Sequence, residues 1–271
     1  MISNSYTFFN EYTYDIIQQR KRYLMKDLID IHTHSISSGH AYSTLQENLQ
    51  IAKEKGLKYY GLSDHAPELE GSATWLHFSN IKNFPKEVYG VNFLAGIELN
   101  IMDFEGNVDN MPEFVLPGLD YAIASLHTIC LAPGTREENT NAYLEALKNP
   151  NLKVLGHPDD ARYDFDPEPV VKQAKKYHVA IELNNSSLKP GAFRSNAKDV
   201  IVPVLQYCQQ YRVPIIMGSD AHYSFDVGNH EYAEKLLKEI NFDTDLVINY
   251  HEHLIQEYIL DSHKQYIKGI E

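Results

Sequence analysis

Histidine and acidic side chains recur at or just past the ends of short apolar segments in this chain. Nine of them could bind a metal ion: His32, His34, His40, His65, Glu98, His127, His157, Asp220 and His222. The carboxyl ends of parallel strands meet at one edge of a sheet or barrel, so we expect these nine side chains to converge. Imidazole and carboxylate groups are ligands that zinc takes in catalytic sites. The pattern therefore predicts a metal centre.

The number of candidate ligands exceeds what one ion needs. Zinc usually takes about four ligands, and a catalytic ion leaves one position to water, so we expect two or three ions. His32 and His34 follow a strand at a spacing of two, which turns both imidazoles to the same side. Asp220 and His222 repeat that spacing, and a carboxylate such as Glu98 is suited to bridge two ions. A lone histidine is more often a core residue, so the argument depends on the whole set.

The remaining histidines and one acidic residue are interpreted differently. His77 is expected in a loop near the mouth of the site, either as a lid or as part of an aromatic packing at the rim. Asp64 could orient the neighbouring metal ligand His65, or it could make a loop hydrogen bond. Histidines with no strand before them are expected at the surface: His178, His230, His251, His253 and His263.

Seven short segments rich in apolar residues predict the strands that carry these side chains. They lie at 28–31, 58–62, 92–97, 121–125, 153–155, 179–183 and 214–217. Helical patterns between most of them give a βα rhythm, which predicts a parallel sheet. With seven units and no glycine-rich phosphate loop after the first strand, a distorted, TIM-like (β/α)7 barrel of the α/β class is favoured over an open sheet, which remains the alternative.

Three helices can be delimited from their end signals. Ser43 and Gln46 form a capping-box pattern at the start of one helix, and Gly56 supplies its end. Asp166 is the predicted N-cap of a second helix. The third is predicted over 199–211, with a proline about one turn inside it.

Composition restricts the class of protein. The chain of 271 residues carries a formal net charge of -13, which disfavours an extended nucleic-acid interface. Two cysteines, Cys130 and Cys208, offer no disulfide framework, so a reducing cytoplasm is expected. No apolar run approaches the roughly 18 residues of a membrane span. We expect an added arm or helix at 1–26 and one domain at 27–271, while the oligomeric state is left open.

Several longer motifs resemble the PHP (polymerase and histidinol phosphatase) family. They are DIHTH at 30–34, SDH at 63–65, GIE at 96–98, LH at 126–127, GHP at 156–158 and GSDAH at 218–222. Three further stretches resemble the small bacterial phosphatases of the YcdX type: GHAYSTL at 39–45, WLHF at 75–78 and ELNNSS at 182–187. The resemblance covers residues from about 28 to 260.

That resemblance implies a distorted seven-stranded barrel, the PHP fold, with three divalent metal ions, usually zinc and in relatives manganese or iron. Carried onto this chain, it implies one ion held by His32, His34, Glu98 and Asp220, a second bridged by Glu98 and held by His127 and His157, and a third held by His40, His65 and His222. All nine ligand positions are filled.

The implied reaction is hydrolysis of a small phosphorylated metabolite. Our hypothesis is that a metal-activated hydroxide, positioned by Glu98 and Asp220, attacks phosphorus in line. Arg194, Lys189 and Arg162 lie in loops on the expected ligand side and are candidates to bind the phosphate. Histidinol phosphate is one possible substrate.

Two other functions remain open. A metal-dependent amidohydrolase also begins with a His-x-His motif and ends with an aspartate, but it usually needs a bridging lysine where this chain offers Glu98. A non-catalytic metal-binding PHP module is the second alternative, and the complete ligand set argues against it. Activity on amides and lactones, or bound metal without hydrolysis, would separate these from a phosphatase.

Overall fold

A computed structural model describes residues 25–261 of the protein. Within that range the strands are β1 Ile29–Asp30, β2 Tyr59–Leu62, β3 Glu87–Val88, β4 Val91–Ala95, β5 Glu98–Asn100, β6 Ala122–Ser125, β7 Leu152–Leu155, β8 Ala180–Asn184 and β9 Ile215–Gly218. The α-helices are α1 Leu45–Lys55, α2 Trp75–Ile81, α3 Arg136–Ala146, α4 Pro167–Lys176, α5 Ala197–Tyr211, α6 Glu231–Glu239 and α7 Glu252–Ile255. The predicted arm at 1–26 falls almost entirely outside the described residues, and so does His263.

The strands form two sheets that meet to enclose a distorted barrel. One sheet has the order β1-β2-β4-β3 and the other the order β5-β6-β7-β8-β9. All pairs are parallel except β3 with β4. A bridge between Thr33 and Ala221 connects the ends of β1 and β9, and a bridge between His65 and Glu98 connects β2 to β5. Both junctions lie beside candidate metal ligands, so the contacts that close the barrel also bring ligands from the two sheets together.

The third strand, predicted at 92–97, ends two residues early. Its residues form β4 and a break at Gly96 and Ile97, after which the chain continues as β5. The Tyr121 ring lies across the barrel at this point, and a Cβ on residue 96 would come within 2.1 Å of it. The Tyr121 hydroxyl donates to the Ile31 carbonyl on the far strand at 2.6 Å. One aromatic side chain thus fills the barrel interior at the break in this strand.

The three predicted helices are present, and two of them begin at a different residue from the predicted one. The N-cap of α1 is Thr44, not Ser43, and the capping box pairs Thr44 with Glu47. Ser43 Oγ instead accepts from the Ser224 backbone at 2.9 Å, which fixes the loop after β9. Asp166 caps α4 as predicted. The helix predicted over 199–211 begins two residues earlier, at Ala197. Four helices, α2, α3, α6 and α7, are not among those predicted from the sequence, and α3 is a polar sequence without an apolar stripe.

Buried apolar side chains form the support for the site. The largest cluster lies between the five-stranded sheet and the helices from α3 to α6. A second cluster fills the barrel interior, where strand residues such as Ile31 and Ile123 pack with Ile255 of α7. A third packs α1 against β2 and β4. None of the helices between residues 25 and 261 is both long and apolar enough to cross a bilayer.

His230 is the clearest departure from the surface positions predicted for the isolated histidines. It is 3% exposed and its ring lies between Asp27 and Asp30. Burial disfavours the charged ring, but the two carboxylates outweigh it and raise the pKa of His230 to about 10. The sequence prediction is wrong because both partners are some 200 positions away along the chain. His253, in contrast, is exposed.

Candidate metal centre

All nine predicted ligands lie together at the carboxyl ends of the barrel strands. His32 and His34 follow β1, His65 follows β2, and Glu98 begins β5. The others follow later strands or lie in the loop after β1: His40, His127, His157, Asp220 and His222. Each has a nitrogen or oxygen atom within 3.7 Å of another member of the set. The convergence predicted from strand ends is therefore present in the fold.

The Glu98 carboxylate lies at the centre of the cluster and is fully buried. Its two oxygens face five imidazole nitrogens at 2.7 to 3.6 Å, with His32, His127 and His157 near Oε1 and His34 and His65 near Oε2. Burial raises the pKa of Glu98, but the neighbouring histidines outweigh it and hold the pKa well below its usual value. An ionised carboxylate with both oxygens facing ligand groups has the geometry of a bridging ligand.

Asp220 forms the second acidic side of the cluster. Its Oδ1 lies 3.2 Å from His34 Nε2 and 3.7 Å from His32 Nε2. Its Oδ2 accepts from Arg194 at 3.2 Å. The residue has a positive φ of 52°, and His157 has a φ of 25°. Two candidate ligands therefore adopt backbone conformations that non-glycine residues rarely use, which is common where geometry serves a site.

The ligand atoms divide into overlapping groups of three in which all atoms lie within 4.8 Å of one another. The groups are His32, His34 and Asp220; His32, Glu98 and His157; His65, Glu98 and His127; and His34, His65 and His222. The resemblance separates these residues into distinct sets, whereas here His65 contacts both Glu98 and the His34 and His222 rings. His40 is outside these groups, but its Nε2 lies 2.9 Å from that of His222.

The donor set fits divalent cations. Five ligand atoms are buried and have no hydrogen-bond partner: His32 Nε2, His34 Nε2, His65 Nδ1, His127 Nε2 and Glu98 Oε2. A buried polar atom without a partner costs on the order of 1 to 3 kcal/mol. These atoms face one another at short range outside hydrogen-bond geometry, and a cation among them would satisfy several at once.

Four of the candidate ligand histidines have lowered pKa values, which favours the neutral rings that can coordinate a metal ion. Burial lowers the pKa of His34, His40, His127 and His157, and nearby histidines lower it further for His34 and His40. Near neutral pH these rings are uncharged, as metal ligation requires. His32 differs, because Glu182, Glu98 and Asp220 outweigh burial and raise its pKa well above the usual value. A metal ion at His32 would have to displace a proton.

Asp64 supports His34 and does not contact the metal-ligand atoms of His65 directly. It accepts from the Ser35 backbone at 2.7 Å and from Ser38 Oγ at 2.7 Å. Ser38 Oγ in turn lies 3.2 Å from His34 Nδ1. Burial raises the pKa of Asp64, but hydrogen bonds from His77 and Ser38 outweigh it and lower the pKa to about 2. His77, which lies in α2 and not in a loop, is 3.1 Å from Asp64.

Two further supporting residues were missed by sequence reasoning. Asn100 lies 2.7 Å from His127 Nδ1, and Glu182 lies 2.6 Å from His32 Nδ1. Both carried a signal. Asn100 is two positions after Glu98 and so faces the same side of the strand. Glu182 is a charged residue inside β8, all of whose residues are buried.

A cavity of about 440 Å³ opens onto the cluster. It is lined by His40, His65, His127, Asp220 and His222, and also by Arg194, Arg162, Asp160, Ile129 and Phe193. Two of the three side chains predicted to bind phosphate, Arg194 and Arg162, therefore line this cavity. Lys189 does not: it pairs with Asp226 and lines a separate cavity.

The two arginines are held differently. Arg194 has a side chain 15% exposed and donates to Asp220 and to Ser187 Oγ. Arg162 makes paired hydrogen bonds to Asp160 and lies 4.3 Å above the Phe193 ring. Arg194 is thus fixed at the ligand cluster, while Arg162 lies at the more exposed side of the cavity.

Comparison with known proteins identifies the family. A family model described as the PHP domain matches residues 30–188, which is more than half of the chain. The chain belongs to the PHP domain family. The match contains seven of the nine clustered ligands, from His32 to His157, while Asp220 and His222 follow it in sequence.

Curated relatives agree with the predicted phosphoester hydrolase. A probable phosphatase of Clostridium acetobutylicum is 42% identical over 235 residues, covering 87% of this chain and 95% of the relative. A probable phosphatase of Thermoanaerobacter sp. strain X514 is 43% identical over 242 residues, covering 89% and 98%. These alignments span nearly the whole length of both relatives.

Solved structures support the fold. The histidinol phosphate phosphatase of Lactococcus lactis, a complex with zinc, L-histidinol and phosphate, aligns with a TM-score of 0.54 at 16% identity and covers 80% of this chain and 95% of its own. A putative histidinol phosphatase of Listeria monocytogenes aligns with a TM-score of 0.50, also at 16% identity, covering 76% and 98%. At this identity the likeness concerns architecture alone.

Proposed function

We propose that this PHP domain protein is a metal-dependent hydrolase of a small phosphomonoester. The observation that carries the proposal is the buried Glu98 carboxylate, which faces four imidazole nitrogens without hydrogen-bond partners. The same ligand cluster lines a cavity together with Arg194. The names of the curated relatives support the same class of reaction.

The cofactors we propose are three divalent metal ions, with zinc first and manganese or iron as alternatives. The support is the number of ligand side chains, which exceeds what one or two ions need, and the zinc in the structure of the Lactococcus lactis protein. When bound, such ions activate water and neutralise charge that develops on phosphate oxygens. Three of them, less the charges of Glu98 and Asp220, give a local excess of about +4, which attracts a phosphate in spite of the acidic chain.

The remaining roles fall to side chains of the cavity. Arg194 is held by Asp220 and still has N–H groups to donate to a phosphate oxygen. Arg162 lies farther out, against Asp160 and Phe193, where it can contact the outer part of a substrate. We do not assign Lys189 to the substrate, because its pairing with Asp226 holds it outside this cavity.

The alcohol part of the substrate must fit a wall that combines apolar and charged groups. Ile129 and Phe193 provide exposed apolar surface there, and Asp160 and Arg162 provide a fixed ion pair. Histidinol phosphate is one candidate, since the Lactococcus lactis neighbour is a histidinol phosphate phosphatase. The free state of Cys130 and Cys208 supports a cytoplasmic location.

A substrate panel tests this function against its rivals. Protein reconstituted with zinc, manganese or iron would be assayed on phosphomonoesters that include histidinol phosphate, and in parallel on amides and lactones. We expect phosphate release from one class of phosphomonoester and no amide or lactone cleavage. Amide or lactone hydrolysis without phosphate release would favour an amidohydrolase, although Glu98 occupies the position where that class usually has a lysine. Bound metal without any hydrolysis would favour a non-catalytic module.

A further inference from the structure

Glu182 lies beneath the metal-ligand cluster and contacts two of its members from one carboxylate. The residue belongs to β8 and is 1% exposed. Its Oε1 is 2.6 Å from His32 Nδ1, and its Oε2 is 2.6 Å from the backbone nitrogen of His157. Asn184 Nδ2 makes a longer contact with Oε2 at 3.3 Å. No atom of Glu182 is among the groups that surround a common metal position.

The contact with Glu182 determines which ring nitrogen of His32 carries the hydrogen, and so which nitrogen has a free lone pair. A carboxylate accepts hydrogen bonds, so this contact assigns the His32 hydrogen to Nδ1. Nε2, which faces Glu98 at 3.3 Å and Asp220 at 3.7 Å, is then the nitrogen left to coordinate a cation. A carboxylate behind a ligating histidine commonly fixes the tautomer and raises the basicity of the ligand in this way.

The contact with His157 stabilises a strained backbone. His157 has a φ of 25°, which non-glycine residues rarely adopt, and such a conformation persists only where its surroundings hold it. The Glu182 oxygen that accepts from its backbone nitrogen supplies part of that restraint. With the backbone held, His157 Nε2 lies 3.0 Å from Glu98 Oε1.

The fold reserves space for this carboxylate on the adjacent strand. Gly218, at the end of β9, has no side chain, and a Cβ built there would lie 2.0 Å from Glu182 Oε1. Both atoms that face the carboxylate oxygens are hydrogen donors. A glutamine at 182 has one acceptor oxygen and one donor amide, so it can keep both contacts only if the His32 hydrogen moves to Nε2, which removes the lone pair that faces the cluster.

We propose that Glu182 is a positioning residue that fixes the His32 tautomer and the His157 backbone together, and so aligns two ligands of the metal centre that flank Glu98. The role rests on the proposed function, because it presumes that the cluster binds divalent cations. Glu182 itself contacts neither metal nor substrate. Its effect would be felt first in metal affinity and only through that in hydrolysis.

The test compares Glu182→Gln, Glu182→Asp and the control Glu252→Gln, which alters an exposed carboxylate paired with Lys58. Metal content is measured by elemental analysis and zinc affinity by competition with a chelator, after circular dichroism confirms folding. We expect zinc binding about 10 to 100-fold weaker in Glu182→Gln. Partial recovery is expected in Glu182→Asp, which keeps two acceptor oxygens, and no change in the control.

A second measurement separates positioning from a general loss of structure. In the zinc-loaded protein, nitrogen-correlated NMR of the histidine rings should place the His32 hydrogen on Nδ1, and this signature should be lost or altered in Glu182→Gln. Gly218→Ala, which leaves the Glu182 charge in place but crowds both its Oε1 and the His32 Cβ, should also weaken zinc binding. Glu182→Asp serves as the second variant if Glu182→Gln does not fold.

The outcomes distinguish this inference from the proposed function. Wild-type protein that binds zinc, together with Glu182→Gln that binds it equally well and keeps the Nδ1 hydrogen, would overturn the role of Glu182 alone. Wild-type protein that binds no divalent metal would overturn the proposed function, and the positioning role with it.

Discussion

At the scale of single residues, the central feature is an ionised carboxylate that is buried among imidazoles. Glu98 has no contact with solvent, and burial lowers the pKa of the neighbouring rings of His34, His127 and His157. A buried charge needs compensation from paired charges or a cation. His32, whose pKa is raised, supplies part of that compensation, and a divalent ion held by the surrounding nitrogens would supply it in place of that proton.

Replacement of Glu98 by glutamine should therefore affect the metal centre more than the fold. We expect bound metal to decrease and turnover to fall by about 100-fold or more, because the bridging charge is removed while the side-chain volume is kept. The free energy of unfolding of the metal-free protein should change little. Elemental analysis, phosphatase assays and urea unfolding check this, and equal losses of activity and metal-free stability would instead indicate a structural role for the residue.

Arg194 should act on the phosphate group. Its guanidinium lies against Asp220 and lines the cavity, so Arg194→Ala should raise KM for a phosphomonoester about 10-fold and weaken inhibition by inorganic phosphate. Arg136→Ala is the matched control, since Arg136 is exposed and pairs with Asp164 away from this cavity. An unchanged KM and unchanged inhibition in Arg194→Ala would remove it from the binding site.

The sequence predicts the ligands but not most of the residues that support them. His32 and Asp220 stand out because imidazoles and carboxylates follow strand signals. Asn100, Glu182 and His230 depend on partners that only the folded chain brings near, at separations of 27, 150 and 203 positions. The local sequence does not identify the partners in such pairs. Its one signal is a polar residue within a strand that is otherwise apolar and buried.

At the scale of elements, the βα rhythm predicts the barrel strands well and their ends less well. The apolar segments correspond to β1, β2, β4, β6, β7, β8 and β9 within one or two residues at most ends. The third segment ends at Gly96, where the Tyr121 ring leaves no room for a side chain. The shift of the capping box from Ser43 to Thr44 arises because Ser43 bonds to the loop after β9.

The stabilising contact between the start of β1 and the start of α6 should depend on pH. His230, directly before α6, is charged between Asp27 and Asp30, and its pKa of about 10 is above the value of about 6.5 for an unfolded chain. Because folding raises this pKa, the protonated ring contributes its full stabilisation of the fold below about pH 6.5. That contribution is lost as the pH rises through about 10. The shift corresponds to at most about 5 kcal/mol.

His230→Gln should therefore be less stable than wild type at pH 7. The difference in their free energies of unfolding should decrease as the pH rises from 7 to 10. Urea unfolding at several pH values in that window measures the gap, and His253→Gln, at an exposed position, is the control. A gap that is constant with pH would mean that the charge of His230 does not stabilise the junction.

At the scale of the whole molecule, an acidic chain encloses a site built to hold positive charge. The net charge of -13 spreads over the sequence, while the ligands gather where two sheets close into one barrel. Fold class and family were predicted from the sequence and are confirmed by the match to the PHP domain. The partition of the ligands among ions stays a prediction, since His65 contacts members of two of the implied sets.

The most direct test of the account is to remove the metal and restore it while activity is followed. Protein treated with a chelator should lose hydrolysis of p-nitrophenyl phosphate and regain it on addition of zinc, manganese or iron, with elemental analysis finding more than one ion bound per chain at full activity. Full activity in protein shown to be free of metal would contradict the account.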